Sequence, residues 1–312
     1  MTRGFVTIAT GKDKYFINAV NLLRSYRHFS NNPLPFAILA DKENEYTSFF
    51  DKVIVLPKNK VHNSYLDKLE LSGAVPFDQT VFIESDCLAY GDLNEYFTAF
   101  DNSDDFSVFG EDGPLNGEGW FDYRKAKDLK DKLTYLPHFH SGIIYLKNTE
   151  KCRLFYNTSI DILKSIDKYF EVDSDVATDD KTFAITLSVC NFKTTKGKPE
   201  YICVYPSRYV LFAKPKMHIP SLSYSTCDKK RVKNVLLCHF GMEETTRPIY
   251  KREIYSLNRA IDKKRISRLK LFLYDIANVF SGLFIHLKHL FNKIRDSLIV
   301  DKIRKTFFKK DK

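Results

Sequence analysis

The chain has 312 residues, of which 44% are hydrophobic and 28% charged, enough apolar material for an ordinary core and too much for a disordered chain. Its net charge of +10 is confined to the end: Lys263 to Lys312 hold 14 Lys plus Arg against 4 Asp plus Glu, while residues 1–262 carry 35 of each sign. A nucleic-acid surface on the main body is thereby excluded, and six scattered cysteines without a C-x-x-C pair exclude a disulfide-framed miniprotein.

The opening MTRGFVTIATGKDK carries too short an apolar stretch for a secretory signal, which together with the cysteines predicts a reduced, cytoplasmic setting. FVTIA is β-branched and apolar and predicts a strand, TGKDK a turn, and YFINAVNLLRSYRHF a helix with Phe16, Ala19, Val20, Leu23 and Tyr26 on one face. PFAILAD (35–41) and KVIVLP (52–57) read as short buried strands, and a helix is expected around Ser64 to Ser72. VFIESD then restarts the core as a strand carrying Glu84 and Asp86. Strands alternating with helices predict an α/β fold with a mostly parallel sheet, whose ligands lie beyond the carboxyl ends of its strands.

Residues 101–137 mix Gly, Pro, Asn and charge around the only tryptophan, Trp120, and read as a flap over the site. Gly142 to Leu146 is a further strand and Thr149 to Phe170 a long helix. After the polar loop DSDVATDD, Thr178 opens another helix with Asp179 and Asp180 in its first turn, where the helix dipole favours acids. VLLCHFG (235–241) is the last apolar strand, ending on His239.

Composition alone yields about five acid-x-acid pairs in this chain, so spacing by itself says little. Glu84 and Asp86 differ from the rest by closing an apolar run ahead of Gly91-Asp92, with Asp92 and Glu95 at capping-box spacing. On one strand the two acids would share a face, and with His239 they would offer two carboxylates and an imidazole to Mn²⁺, with Mg²⁺ a weaker fit. Neither a Walker loop nor G-x-G-x-x-G is present, and no G-x-S-x-G elbow marks a nucleophile. The competing reading makes His239 a core or capping histidine and Asp179 and Asp180 plain helix-cap acids.

VFIESDCLAYGDL resembles the D-x-D strand of the GT-A glycosyltransferases, and the order of parts over residues 4–250 resembles glycosyltransferase family 8, including its bacterial glycan and lipopolysaccharide transferases. TIATGKDKYFINAVNLLRSYRHF also resembles the blood-group-type retaining transferases. The resemblance implies a GT-A, Rossmann-like catalytic domain over 1–258 in which Glu84 and Asp86 stand at the two acids of D-x-D and His239 at a late metal ligand. It further implies that Thr10, Lys12, Tyr15, Lys68, Ser85 and Arg247 face the nucleotide. His140, Ser141 and Gly142 stand where the family has N-A-G and, with Trp120, would face donor sugar or acceptor; Asp179 and Asp180 stand at D-Q, beside the anomeric carbon. His239-Phe240-Gly241 is one residue shorter than the family's H-x-x-G, and Arg247-Pro248 replaces its K-P-W.

Residues 259–312 form a basic tail whose apolar positions, Leu269, Phe272, Ile276, Phe280, Leu283, Leu287, Leu290 and Ile294, fall at helical spacing. Its longest uncharged run, Ile276 to Leu287, is short of the roughly 20 residues a bilayer needs. The pattern predicts an amphipathic helix lying on an anionic membrane, placing the protein peripherally on the cytoplasmic face. The alternatives are a helix folded back on the catalytic domain and a seam between two copies of the chain.

The functional expectation is a metal-dependent hexosyltransferase that takes a nucleotide sugar, in the first instance a uridine diphosphate sugar, to a glycan or lipid-linked glycan with retention. Two rivals stand beside it: a catalytically altered membrane-surface adaptor, and a metal-dependent phosphoesterase, which needs a second metal cluster.

Overall fold

The apolar run RGFVTIA forms the first strand, β1 (Arg3–Ala9), and the segment with helical spacing follows as α1 (Asp13–Phe29), burying Phe16, Ala19, Val20, Leu23 and Tyr26. In this computed structural model the described residues are 1–57, 66–73, 75–117, 119–169, 178–204, 216–218, 221–225, 231–233, 235–242 and 244–307. They fall into two compact units, Met1–Cys203 with Val235–His239, and Val204–Asn234 with Phe240–Lys312.

In the first unit β2 (Phe36–Ala40), β3 (Lys52–Val55) and β4 (Gln79–Ile83) follow α1, and β5 (Cys87–Ala89) leads to a short helix α2 (Glu95–Ala99). Next come β6 (Phe106–Gly113), β7 (Leu136–Lys147), α3 (Glu150–Lys164), α4 (Ile166–Tyr169) and α5 (Asp179–Cys190). A two-residue strand β8 (Cys203–Val204) precedes three antiparallel strands of the second unit, β9 (Lys216–His218), β10 (Ser221–Ser225) and β11 (Arg231–Lys233). The first unit closes with β12 (Leu237–His239), paired antiparallel with β5.

The central sheet has six strands in the order β3-β2-β1-β4-β7-β6. β3, β2, β1 and β4 are parallel, and β7 runs antiparallel between β4 and β6. Alternation sorts their side chains into two cores. Val6, Leu39, Phe82 and Ile144 join Phe155, Tyr156 and Phe183 of α3 and α5 in one core. Phe5, Ile38, Val81 and Ile143 join Phe16, Leu23, Tyr96 and Phe97 of α1 and α2 in the other. A mostly parallel sheet covered by helices on both faces is the α/β architecture expected from the sequence.

Several local expectations are corrected. β4 ends at Ile83, and Glu84 to Asp86 form a turn closed by the Cys87 N–H donating to the Glu84 carbonyl (3.2 Å) rather than a continuing strand. Asp92 caps no helix: its Oδ1 accepts from Asn94 N–H (3.1 Å) and from Ser30 Oγ (2.9 Å), and Asn94 is the N-cap of α2. Residues 106–113 are a core strand, not a flap, because Phe106 and Val108 are buried against β7. The expected helix near residue 70 is a run of 3-10 turns over Leu66–Gly73, with Ser64 outside the described residues. The long helix after Thr149 breaks at Ser165 into α3 and α4; Phe170 and residues 173–177 of the polar loop lie outside the described residues.

The second unit also contains α6 (Pro248–Ile261) and α7 (Arg268–Phe307). Proline at N1 suits the start of α6, where its missing N–H has no partner to lose. By length and composition, Arg268–Lys293 of α7 is sufficient to cross a membrane, although its uncharged core is the short run noted above.

Candidate active site

Three parallel strands deliver polar groups at their carboxyl ends. Beyond β1, Gly11 turns the chain at φ +80°, a conformation open to glycine, and its N–H donates to Asp41 Oδ2 at the end of β2 (3.1 Å). Asp41 Oδ1 is buried and makes no hydrogen bond. Thr10 donates to the fully buried Asp67 (2.6 Å), which ties this turn to the segment carrying Lys68. Lys12 is exposed at the start of α1, and the Lys14 ammonium lies 4.8 Å from the centre of the Tyr15 ring.

The turn after β4 carries the two acids, with Ser85 buried between them. The turn, rather than strand alternation, brings both acids to His239, the last residue of β12: His239 Nε2 lies 2.9 Å from Glu84 Oε2 and 3.1 Å from Asp86 Oδ1. β12 is held in register by pairing with β5, His239 standing opposite Cys87. Burial alone would depress the imidazole, but Asp86 and Glu84 together outweigh it and lift the pKa to about 10. Without a metal, His239 is therefore an imidazolium clamped by two carboxylates.

Glu84 is shared. Its other oxygen receives Lys68 Nζ at 2.5 Å, and the same ammonium reaches Asp179 Oδ2 (2.6 Å) and Ser141 Oγ (3.0 Å). Burial opposes ionisation of Glu84, but Lys68 and His239 hold its carboxyl well below the ordinary range. The two carboxylates likewise keep the buried Lys68 charged, its pKa raised against the desolvation that would lower it. Lys68 stands 16 residues before Glu84 in sequence, and the 3-10 turns aim it back at the acid.

β7 supplies the opposite wall. Ile143 pairs with Ile83, and the Gly142 carbonyl accepts from Glu84 N–H (3.1 Å), which fixes His140, Ser141 and Gly142 against the acids. A side chain on Gly142 would have its Cβ 2.8 Å from the His140 ring and 3.2 Å from Glu84 Oε2, so only glycine fits without displacing them. Gly142 N–H donates to His140 Nδ1 (2.9 Å), and burial, reinforced by His239, pushes His140 down to about 4. His140 is thus neutral, with its proton on Nε2 and its Nδ1 occupied by the Gly142 N–H. The His140 and His239 rings lie 4.8 Å apart, edge to face. Trp120 donates Nε1–H to the Phe139 carbonyl (2.9 Å), next to His140.

α5 brings the remaining acids. Thr178 caps it by accepting from Lys181 N–H (3.3 Å), which leaves Asp179 and Asp180 in the first turn as expected. Asp179 accepts from Lys68 and from Ser141 Oγ (3.2 Å), and Asp180 Oδ1 accepts from Ser141 N–H (3.3 Å). Burial, then Asp179, raises the pKa of Asp180.

Lys68, Glu84, Asp86, His140, Ser141, Gly142, Asp179, Asp180 and His239 therefore form one connected cluster. Arg247 belongs to the second unit, where it pairs with Glu244 (2.6 Å). Asp67 was not apparent from the sequence, because a lone acid two turns upstream of a strand has no distinguishing pattern. Nor was the placement of His140 beside His239, which depends on the pairing of β7 with β4.

The donor set suits a divalent cation. Ligand atoms of Glu84, His140 and His239 lie within 4.8 Å of one another, as do those of Asp86, Cys87 and His239. His239 Nδ1 is buried without a hydrogen-bond partner, and Asp86 Oδ1, although 3.1 Å from His239 Nε2, makes no well-aligned hydrogen bond there. Of these groups, Glu84, Asp86 and His239 together offer hard carboxylate oxygens and one imidazole, a set that suits Mn²⁺ or Mg²⁺. Four carboxylates face two cationic side chains in the cluster, an excess of negative charge that an added cation relieves.

No protein-family model matches the chain, and a search of curated proteins finds no relative. Solved structures do match. The apo bifunctional glycosyltransferase WbbM shares 15% identity over 84% of this chain and 52% of its own, with a TM-score of 0.50. Mouse xyloside xylosyltransferase 1 shares 12% over 78% of this chain and 99% of its own (TM-score 0.48). The galactosyltransferase LgtC, with donor and acceptor sugar analogues, shares 14% over 83% and 94% (TM-score 0.47). At 15% identity the likeness to WbbM shows the fold alone: an α/β fold of GT-A type, the fold that the resemblance of VFIESDCLAYGDL had implied.

Proposed function

We propose that the chain is a metal-dependent glycosyltransferase moving a hexose from a nucleotide sugar, a uridine diphosphate sugar in the first instance, to a glycan or lipid-linked glycan with retention. The observation that carries this reading is the convergence of Glu84, Asp86 and His239 at the carboxyl edge of the sheet, with Lys68 and Asp179–Asp180 adjoining. Glu84, Asp86 and deprotonated His239 would hold the ion, Mn²⁺ in preference to Mg²⁺. When bound, a divalent cation supplies positive charge opposite a departing diphosphate.

The chain's own residues do the rest. Lys68 keeps Glu84 ionised and holds Glu84 and Asp179 in place, so that neither acid rotates as the donor enters. His140 offers Nε2–H to a sugar hydroxyl or phosphate oxygen, its neutral state set by burial. Asp180, positioned by Ser141 N–H, is the carboxylate presented to the anomeric carbon, as nucleophile or as support for developing positive charge. Thr10, Gly11 and the unpaired Asp41 Oδ1 supply polar groups at the end of β1 and β2, where the nucleoside would be received.

Calorimetry with uridine diphosphate, with and without Mn²⁺, tests the reading. Binding that requires the ion, and is lost in Asp86→Ala with the circular dichroism spectrum and melting temperature retained, is the expected result. Nucleotide binding indifferent to Mn²⁺, or normal donor turnover by Asp86→Ala, overturns it.

A further inference from the structure

α7 packs on α6 through its polar side. Asp275 pairs with Arg252 Nε (2.9 Å), the Tyr274 ring lies 6.1 Å from Tyr255, and the Lys270 ammonium lies 4.4 Å from the Tyr255 ring centre. At about 3.6 residues per turn these three positions lie on the side of α7 opposite the Leu269, Phe280, Phe284 and Phe291 stripe, an otherwise polar side that also carries Leu271 and Ile285. The apolar residues are left uncovered: Leu269 is 68% exposed, Phe280 66%, and Phe284 and Phe291 each 70%. They occupy an arc roughly 140° wide, flanked by the exposed Lys288 and Lys293.

A helix folded back for stability would turn this arc inward; here it is the polar side that meets α6. Leu269, Phe272, Leu273, Phe280, Phe284 and Phe291, each more than half exposed, together form one long apolar strip, and an exposed strip of this kind marks an interaction site. Within the second unit, two features specify the occupant. The strip is bordered by Lys270 and Lys288 along one edge and by Lys293 along the other, where the one acid, Asp275, is already paired with Arg252, and the chain from Lys263 onward has 14 basic residues against 4 acidic. Two copies packing these strips would bring the same positive borders together, whereas an anionic lipid surface neutralises them while its acyl region takes the phenylalanines.

We infer that α7 is an in-plane anchor that lays its Leu269–Phe291 strip into an anionic bilayer, with its polar side held by α6. A transmembrane course fits less well, because it would carry Asp275, Lys288 and Lys293 into or against the hydrocarbon. The inference is independent of the catalytic reading.

The test is co-sedimentation of the full chain with phosphatidylcholine vesicles, pure or containing one third phosphatidylglycerol. Binding to the anionic vesicles at least tenfold tighter than to the neutral ones is expected, weakening with salt. Phe280→Ser/Phe284→Ser/Phe291→Ser should abolish it, and Lys288→Glu/Lys293→Glu, which keeps the apolar strip, should remove the preference for anionic lipid. In Phe284→Trp, brominated lipids should quench the new indole most when the bromines lie near the headgroup. Equal binding to both vesicle types, retention by the triple variant, quenching greatest at the bilayer centre, or a lipid-independent dimer lost in the triple variant each overturns the inference. Mn²⁺-linked nucleotide binding, or the melting temperature if there is none, shows that each variant has folded.

Discussion

If Mn²⁺ binds where the imidazolium of His239 sits, the ion and a proton compete for one position. The pKa of about 10 sets the size of the effect. At pH 7 the proton must be removed from a group roughly three pH units below its midpoint, a cost of about 4 kcal/mol to metal affinity. Each unit of pH up to about 10 returns about 1.4 kcal/mol, or tenfold. His140, pushed down to about 4, stays neutral through this window, and Glu84, held low, stays ionised, so neither adds to the slope. Titration of Mn²⁺ at pH 6.5, 7.5 and 8.5, with free ion read by electron paramagnetic resonance, should give a dissociation constant falling about tenfold per unit. Calorimetry in buffers of different ionisation enthalpy should report about one proton released per ion. His239→Gln should flatten the dependence. A dissociation constant independent of pH, with Asp86→Ala still abolishing binding, would refute the placement of the ion at His239.

Two further outcomes follow from the buried charges. Lys68→Met removes the ammonium that Glu84 and Asp179 share, leaving His239 against Glu84 and the Ser141 hydroxyl against Asp179, and should cost about 3–5 kcal/mol in urea unfolding; a loss under about 1 kcal/mol would show that the ammonium is not their main support. Gly142→Ala should press on the His140 ring and Glu84 and weaken Mn²⁺-linked nucleotide binding at least tenfold while leaving the melting temperature within a few degrees. Unchanged binding would show that the wall of β7 yields freely.

The strands of the sheet were legible because their hydrophobic runs are short, β-branched and punctuated. The acids were legible as a pair, but their geometry was not: a strand continued through Ser85 and a turn at Ser85 give the same residues, and only the pairing of β5 with β12 decides between them. β6 was hidden by composition. Its second half reads Gly-Glu-Asp-Gly, and the structure explains the first glycine: the register shifts between Val108 and Gly110, where a Cβ would lie 2.5 Å from the His138 carbonyl. A residue chosen for close approach there looks, in one dimension, like loop. Lys68 was found through resemblance alone, since a lysine on an irregular segment carries no periodic signal.

β12 has a consequence for how the molecule comes into being. The imidazole and the strand that steadies the acid turn are both supplied by Leu237–His239, long after the parallel core has been synthesised. On the ribosome, a nascent chain can complete the sheet while β5 still shows an open edge and two carboxylates lack their histidine. On the function proposed above, ion capture would be a finishing step, since a product released short of Leu237 lacks the histidine of the centre.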